Sequence, residues 1–182
     1  MRSRSARAVL VAWLLATATA RAQPPAPTEY EVKAAFLYHF ARYVEWPPDG
    51  LPADEAFVIT ILGDDPFGPA LDTILKGKRI HDRRLVVRRV THAEQVGRTQ
   101  ILFIGESLSE DLPRILRRLE STPTLTVGEG PLFAKTGGMI RFNKERDRVG
   151  FEINLASAER ARLRISSQLL KLARIVGPAS SA

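Results

Sequence analysis

Residues 57–66 read FVITILGDDP. Phe57–Leu62 is apolar apart from Thr60 and rich in β-branched residues, which suits a strand buried on both faces. In Gly63-Asp64-Asp65-Pro66 behind it, Asp65 is a good N-cap and Pro66 a good first helical residue. This predicts a helix over 66–75, stopped at Gly77. A buried strand feeding directly into a helix is the first half of a parallel βαβ unit.

Downstream the same alternation recurs. Residues 84–90 (RLVVRRV) and 101–104 (ILFI) read as strands, with Thr91-His92-Ala93-Glu94 between them at capping-box spacing. Leu112, Ile115, Leu116 and Leu119 mark an amphipathic helix, and 124–127 a further strand. The pattern then changes to a β-hairpin, 139–143 and 149–154 around the charged turn 144–148, followed by helices over 155–161 and 166–176. In the last helix Ile165, Leu169, Leu172, Ala173 and Val176 share one face, opposite Ser167, Lys171 and Arg174. Upstream, 28–46 reads as a helix with Val32, Phe36, Phe40, Tyr43 and Val44 on its apolar side. Pro47-Pro48 ends it. The expectation is a single α/β domain over 28–177. Its mixed sheet has about six strands, largely parallel with a C-terminal hairpin, flanked by about five helices.

The chain has 182 residues, 45% hydrophobic and 26% charged, and no cysteine. That excludes a disulfide-stapled fold, cysteine-based metal or iron–sulfur sites and a cysteine nucleophile. The net charge of +7 is concentrated at one end. Arg2, Arg4, Arg7 and Arg21 fall in the first 22 residues, which contain no acid; the remainder has 23 basic against 20 acidic residues, or +3. Nucleic acid is therefore not an expected partner. Residues 1–22 have the layout of a secretory signal peptide. A basic start precedes the uncharged run 8–20, and Ala20-Arg21-Ala22 supplies the small-x-small pattern for cleavage between Ala22 and Gln23. The run is too short for a membrane span. A proline-rich linker over 23–27, leading into the domain, and a flexible tail over 178–182 are expected. A periplasmic protein with no membrane span in its mature form is expected.

Chemistry is sparse. His39, His81 and His92 show no metal-ligand spacing, and Gly105-Glu106-Ser107-Leu108-Ser109 lacks the last glycine of a nucleophile elbow. Asp64-Asp65 resembles the acid pair that holds Mg²⁺ in phosphoacceptor domains. The strand 101–104, however, runs into Gly105-Glu106 rather than the required aspartate, so capping is the better account of Asp65. Neither a G-x-G-x-x-G nor a Walker loop occurs. No enzyme and no cofactor is expected.

Several stretches taken together resemble the YfiR family of exported bacterial proteins. They are Lys33-Ala34-Ala35-Phe36-Leu37-Tyr38 leading to Val44-Glu45-Trp46-Pro47, Gly63 to Gly68, Gly137-Gly138-Met139-Ile140, Gly150 to Asn154, and Leu163 to Ala173. The resemblance spans Tyr30 to Val176. It implies a periplasmic α/β protein, often dimeric, that represses an inner-membrane diguanylate cyclase by binding the cyclase's periplasmic portion, lowering cyclic di-GMP and biofilm formation. Disulfide-based redox sensing does not carry over to a chain without cysteine.

The alternative is a periplasmic small-molecule binding protein, since open α/β sheets bind ligands beyond the carboxyl ends of their parallel strands. That edge collects Asp64, Asp65, Phe67, Glu106 and Glu129, an acidic set suited to a cationic or hydroxyl-rich ligand. Glu152 and Asn154 point away from Phe151 and Ile153 and form a second candidate contact surface.

Overall fold

In the computed structural model, which describes residues 26–52 and 55–177, the run at 57–62 is an inner strand of an eight-stranded sheet. The elements in chain order begin with α1 (Glu29–Tyr43), β1 (Val44–Glu45), β2 (Phe57–Leu62), α2 (Pro69–Leu75), β3 (Arg79–Ile80) and β4 (Arg83–Val90). They continue with β5 (Ile101–Ile104), α3 (Leu112–Leu119), β6 (Leu125–Gly128), β7 (Ile140–Glu145), β8 (Arg148–Asn154), α4 (Leu155–Arg160), β9 (Arg164–Ile165), α5 (Ser167–Leu170) and β10 (Arg174–Val176). The segment 1–22 read as a signal peptide, its expected cleavage point and residues 178–182 lie outside the described residues.

The sheet order is β10-β8-β7-β6-β5-β2-β4-β3. Strands β4, β2, β5, β6 and β7 run parallel, the α/β arrangement expected. The β7–β8 hairpin is antiparallel and closes on Arg146-Asp147, with φ of 47° and 62°. Two short edge strands escaped the sequence reading: β3, in a tight hairpin with β4 through His81-Asp82, and β10, parallel to β8. They bring the sheet to eight strands instead of about six. A separate two-stranded ribbon pairs β1 with β9.

Two apolar layers sandwich the sheet. The larger contains Leu37, Phe40, Phe57, Ile59, Phe103 and Phe151, packed beneath α1 and α2. The smaller contains Leu62, Leu102, Ile104, Leu112, Ile115 and Phe133, beneath α3. This double burial is why β2 and β5 read as unbroken apolar runs. On α1 the capping box of Thr28 and Glu31 sets the start. The buried face is centred on Ala34, Leu37, Phe40 and Ala41, with Val32 and Phe36 at its flank; the small alanines let the helix lie close to its neighbours.

Three local readings are corrected. Helix α2 begins at Pro69 rather than Pro66, because Asp65 Oδ1 accepts from the N–H groups of Phe67 (2.9 Å) and Gly68 (3.2 Å) and forms a turn instead of a cap. The short helix that the Thr91–Glu94 spacing predicts is one 3-10 turn, held by Gln95 Oε1 accepting from the N–H groups of Thr91 and His92 (both 3.1 Å). The last helix is only α5. Ser166 caps it, but the chain leaves helix after Leu170 and pairs with β8 as β10. Leu169 is buried, whereas Leu172 is 70% exposed. The spacing of this strand's apolar residues also fits a helical period, an ambiguity inherent in short apolar runs.

Gly137-Gly138 has a specific reason. A Cβ on Gly138 would run into the Phe133 ring, as would one on Gly128 from the other side. Phe133 is 2% exposed and lies between these two bare backbones. Gly138→Ala is therefore expected to destabilise the protein by about 1–3 kcal/mol through overpacking, measured by urea unfolding. Adding Phe133→Leu should recover part of that loss; no recovery would place the strain elsewhere.

Candidate functional site

The carboxyl ends of β2, β5 and β6 bring together most of the acidic residues singled out above, in three different roles. Asp65 Oδ2 accepts from Arg89 Nε at 2.6 Å, and the same guanidinium reaches Asp72 (2.6 Å) and the Gly68 carbonyl (3.1 Å). This clasp ties β4 to α2 and commits Asp65 to structure. Asp64 is exposed. Phe67 is buried, edge-on to Phe103 at 4.8 Å and to Tyr30 at 5.7 Å, and so forms the floor under the edge.

Glu129, just past β6, faces the first turns of α1. Lys33 Nζ sits 2.8 Å from Glu129 Oε1 and 2.5 Å from Glu29 Oε1, and 4.5 Å above the Tyr30 ring. The Tyr30 hydroxyl donates to Glu129 Oε2 at 3.3 Å. Lys33 is 5% exposed, a burial that requires these partners. Glu106 is exposed across a recess of about 290 Å³ that also meets Glu129, Ser109, Gly130 and Phe133. Of the predicted set, Glu106 and Glu129 share this cavity. Among the described residues no three carboxylates or imidazoles converge to hold a metal ion.

The charges here give the edge a pH signature. Burial alone would lower the Lys33 pKa, but its ion pairs with Glu129 and Glu29 outweigh that and raise it above the ordinary 10.5. Burial, then the Glu129 charge, raises the Tyr30 hydroxyl above 10.0. Both groups bind protons more tightly folded than unfolded. Their contribution is complete below those ordinary values and fades as pH rises through the raised ones. The Glu29 carboxyl is lowered from 4.5, chiefly by its hydrogen bond from Lys33, so its contribution is lost only as pH falls through that lowered value. Thermal melts should fall above pH 10 in the native chain and fall less in Tyr30→Phe/Lys33→Met. Parallel falls would mean that the alkaline loss originates elsewhere.

Glu152 and Asn154 do point away from Phe151 and Ile153, but that side is covered rather than wet. Glu152 is 4% exposed and pairs with Arg141 Nε at 2.8 Å and with Arg174. Asn154 caps α4 by accepting from Ser157 N–H (3.1 Å) and donates to the Ala134 carbonyl (3.0 Å). Neither joins the carboxyl edge. The sequence reading missed Tyr30, Lys33, Arg89, Arg141 and Arg174. Lys33 opens the first stretch that carries the family resemblance, but nothing there gives it a role; a further signal is its place beside Ala34 and Leu37 on the side of α1 that turns inward.

A cavity the sequence did not indicate lies at the opposite, amino end of β5 and β6. It measures about 340 Å³ and is roofed by 93–98 and the last turn of α3. Among the described residues no helix is long and apolar enough to cross a membrane. The domain that carries both ends of this sheet matches the family model described as YfiR/HmsC-like over residues 30–174, and the chain belongs to that family.

Proposed function

We propose that this protein is a non-enzymatic periplasmic regulator that binds the periplasmic portion of an inner-membrane diguanylate cyclase and holds it inactive. The observation that carries this reading is the family match, which extends from the first turn of α1 to β10 and so takes in the whole folded domain. Repression by a binder needs no chemistry, only a higher affinity for the inactive arrangement of its target. Suppressing a target from 99% to 1% active takes about 5.5 kcal/mol of such preference.

Of the seven predicted contact residues, Asp64 and Glu106 have exposed side chains with no ion-pair partner among the described residues, and we assign the cyclase contact to the edge that carries them. Deleting the gene should raise cyclic di-GMP and surface attachment, and deleting the candidate cyclase as well should abolish the rise. Asp64→Lys/Glu106→Lys, with an unchanged melting temperature, should reproduce the single deletion. Persistence of high cyclic di-GMP in the double deletion would remove the proposed target. Full repression by the charge-reversed variant would move the contact to another face.

A further inference from the structure

The cavity at the amino ends of β5 and β6 has the attributes of a small-molecule site, and we propose that it binds a small aliphatic carboxylate, of medium-chain fatty-acid type. At about 340 Å³ it falls within the usual size range of ligand pockets. Ala93, Val96, Leu102, Ile115 and Leu119 line its interior. All are aliphatic, and among the described residues no aromatic side chain lines the cavity, so it offers bulk and flexibility of fit without a stacking surface.

The polar groups deeper in are already committed. Thr99 Oγ1 donates to the Ile101 carbonyl (2.8 Å), Thr124 Oγ1 to the Thr99 carbonyl (2.9 Å) and Thr122 Oγ1 to the Leu119 carbonyl (2.8 Å). No hydroxyl proton is left over to demand a polar partner in the ligand's body. An alkyl chain satisfies such a lining, because none of these hydroxyls is left unpaired when water leaves.

The mouth has a definite charge. Arg98 and Arg118 both border it and both are exposed. Among the described residues the acid that lines it, Asp49, is held by Arg162 through two hydrogen bonds, of 3.3 and 2.6 Å. Arg98 donates to the Asp49 carbonyl at 3.2 Å and reaches Glu55 only at 3.9 Å, while Arg118 has no carboxylate within 4.0 Å among the described residues. An apolar interior below two under-used guanidinium groups selects a ligand with an alkyl body and an anionic end. The site is rigid on one side: Gly50 lies so close to Pro123 that a Cβ would come within 2.7 Å of its ring, and its carbonyl accepts from Gln100 Nε2 at 2.8 Å.

Octanoate is the probe, and octylamine, of equal chain length and opposite charge, is the control. Added to the purified full chain, octanoate should raise the melting temperature and shift the amide resonances of Thr99, Ile115 and Thr124, while octylamine should do neither. Arg118→Glu should weaken octanoate on the order of tenfold, the scale of replacing an attractive exposed charge by a repulsive one. Val96→Trp, which fills the cavity from its partly exposed roof, should abolish the shifts while keeping the native melt. No response to octanoate, equal binding of octylamine, or shifts that survive Val96→Trp in a folded variant would each overturn the proposal. Because these readouts use the isolated protein, their failure is distinct from failure of the cyclase contact.

Discussion

Phe40→Ala should destabilise the domain by about 3–5 kcal/mol, the cost of emptying a fully buried aromatic site. Phe40 is 0% exposed. Its ring stacks on Phe142 at 5.6 Å, meets Phe151 edge-on at 5.1 Å and lies 6.1 Å from Phe36. Phe142 and Phe151 are directly opposed residues of the β7–β8 hairpin. One side chain on the first helix thus clamps a hairpin roughly a hundred residues later, a span over which loop closure must be offset by contacts of this kind. Since domains of this size are stable by only about 5–15 kcal/mol, Phe40→Ala should unfold at far lower urea with its slope unchanged. Leu172→Ala is the comparator: 70% exposed, it should shift stability by no more than about 0.5 kcal/mol. Comparable losses in the two variants would mean that the 166–176 segment packs as the helix its sequence resembles rather than as β10.

That contrast shows where the fold was legible and where it was not. Phe57–Leu62 and Ile101–Ile104 announced themselves because burial on both faces leaves no position for a charge, and the helices that follow them, α2 and α3, carry apolar residues at helical spacing. The α/β class follows from these elements alone. The short strands β3 and β10 were hidden: two or three residues make no period, and β10 follows α5 so closely that Leu169, Leu172 and Val176 imitate one helical face. The site divides in the same way. Glu106 and Glu129 could be placed at one edge from topology, because the end of a parallel strand is a location that connectivity dictates. What neutralises Glu129 could not, since Lys33 lies almost a hundred residues away on an element whose rotation depends on Ala34 and Ala41. The amino-end cavity was illegible for a stronger reason. It is a gap between β5, α3 and the 93–98 loop, and gaps are set by packing rather than by any residue type.

Glu152→Ala should cost about 3–5 kcal/mol, the penalty for stranding a buried charge when its partner is removed. Arg141, Glu152 and Arg174 occupy register-matched positions on three neighbouring strands, β7, β8 and β10. The two arginines are not equivalent. Arg141 is 16% exposed at its side chain and Arg174 is 64% exposed. Without Glu152, Arg174 turns to water at little cost, but Arg141 keeps a largely desolvated guanidinium with no carboxylate beside it. Arg174→Ala should therefore cost at most about 1 kcal/mol, in line with an exposed pair. Arg141→Ala should cost nearly as much as Glu152→Ala, because it strands the acid instead. In the double variant Arg141→Ala/Glu152→Ala the loss should fall well below the sum of the two, since neither charge is left behind. Additive losses would show that the two side chains stabilise the sheet separately. The pairing also explains a strand as short as β10: Arg174 faces Glu152 in register, and the Ser166-capped turn of α5 delivers the chain to that point, so the carboxylate fixes the alignment that three residues of backbone alone would leave free to slip.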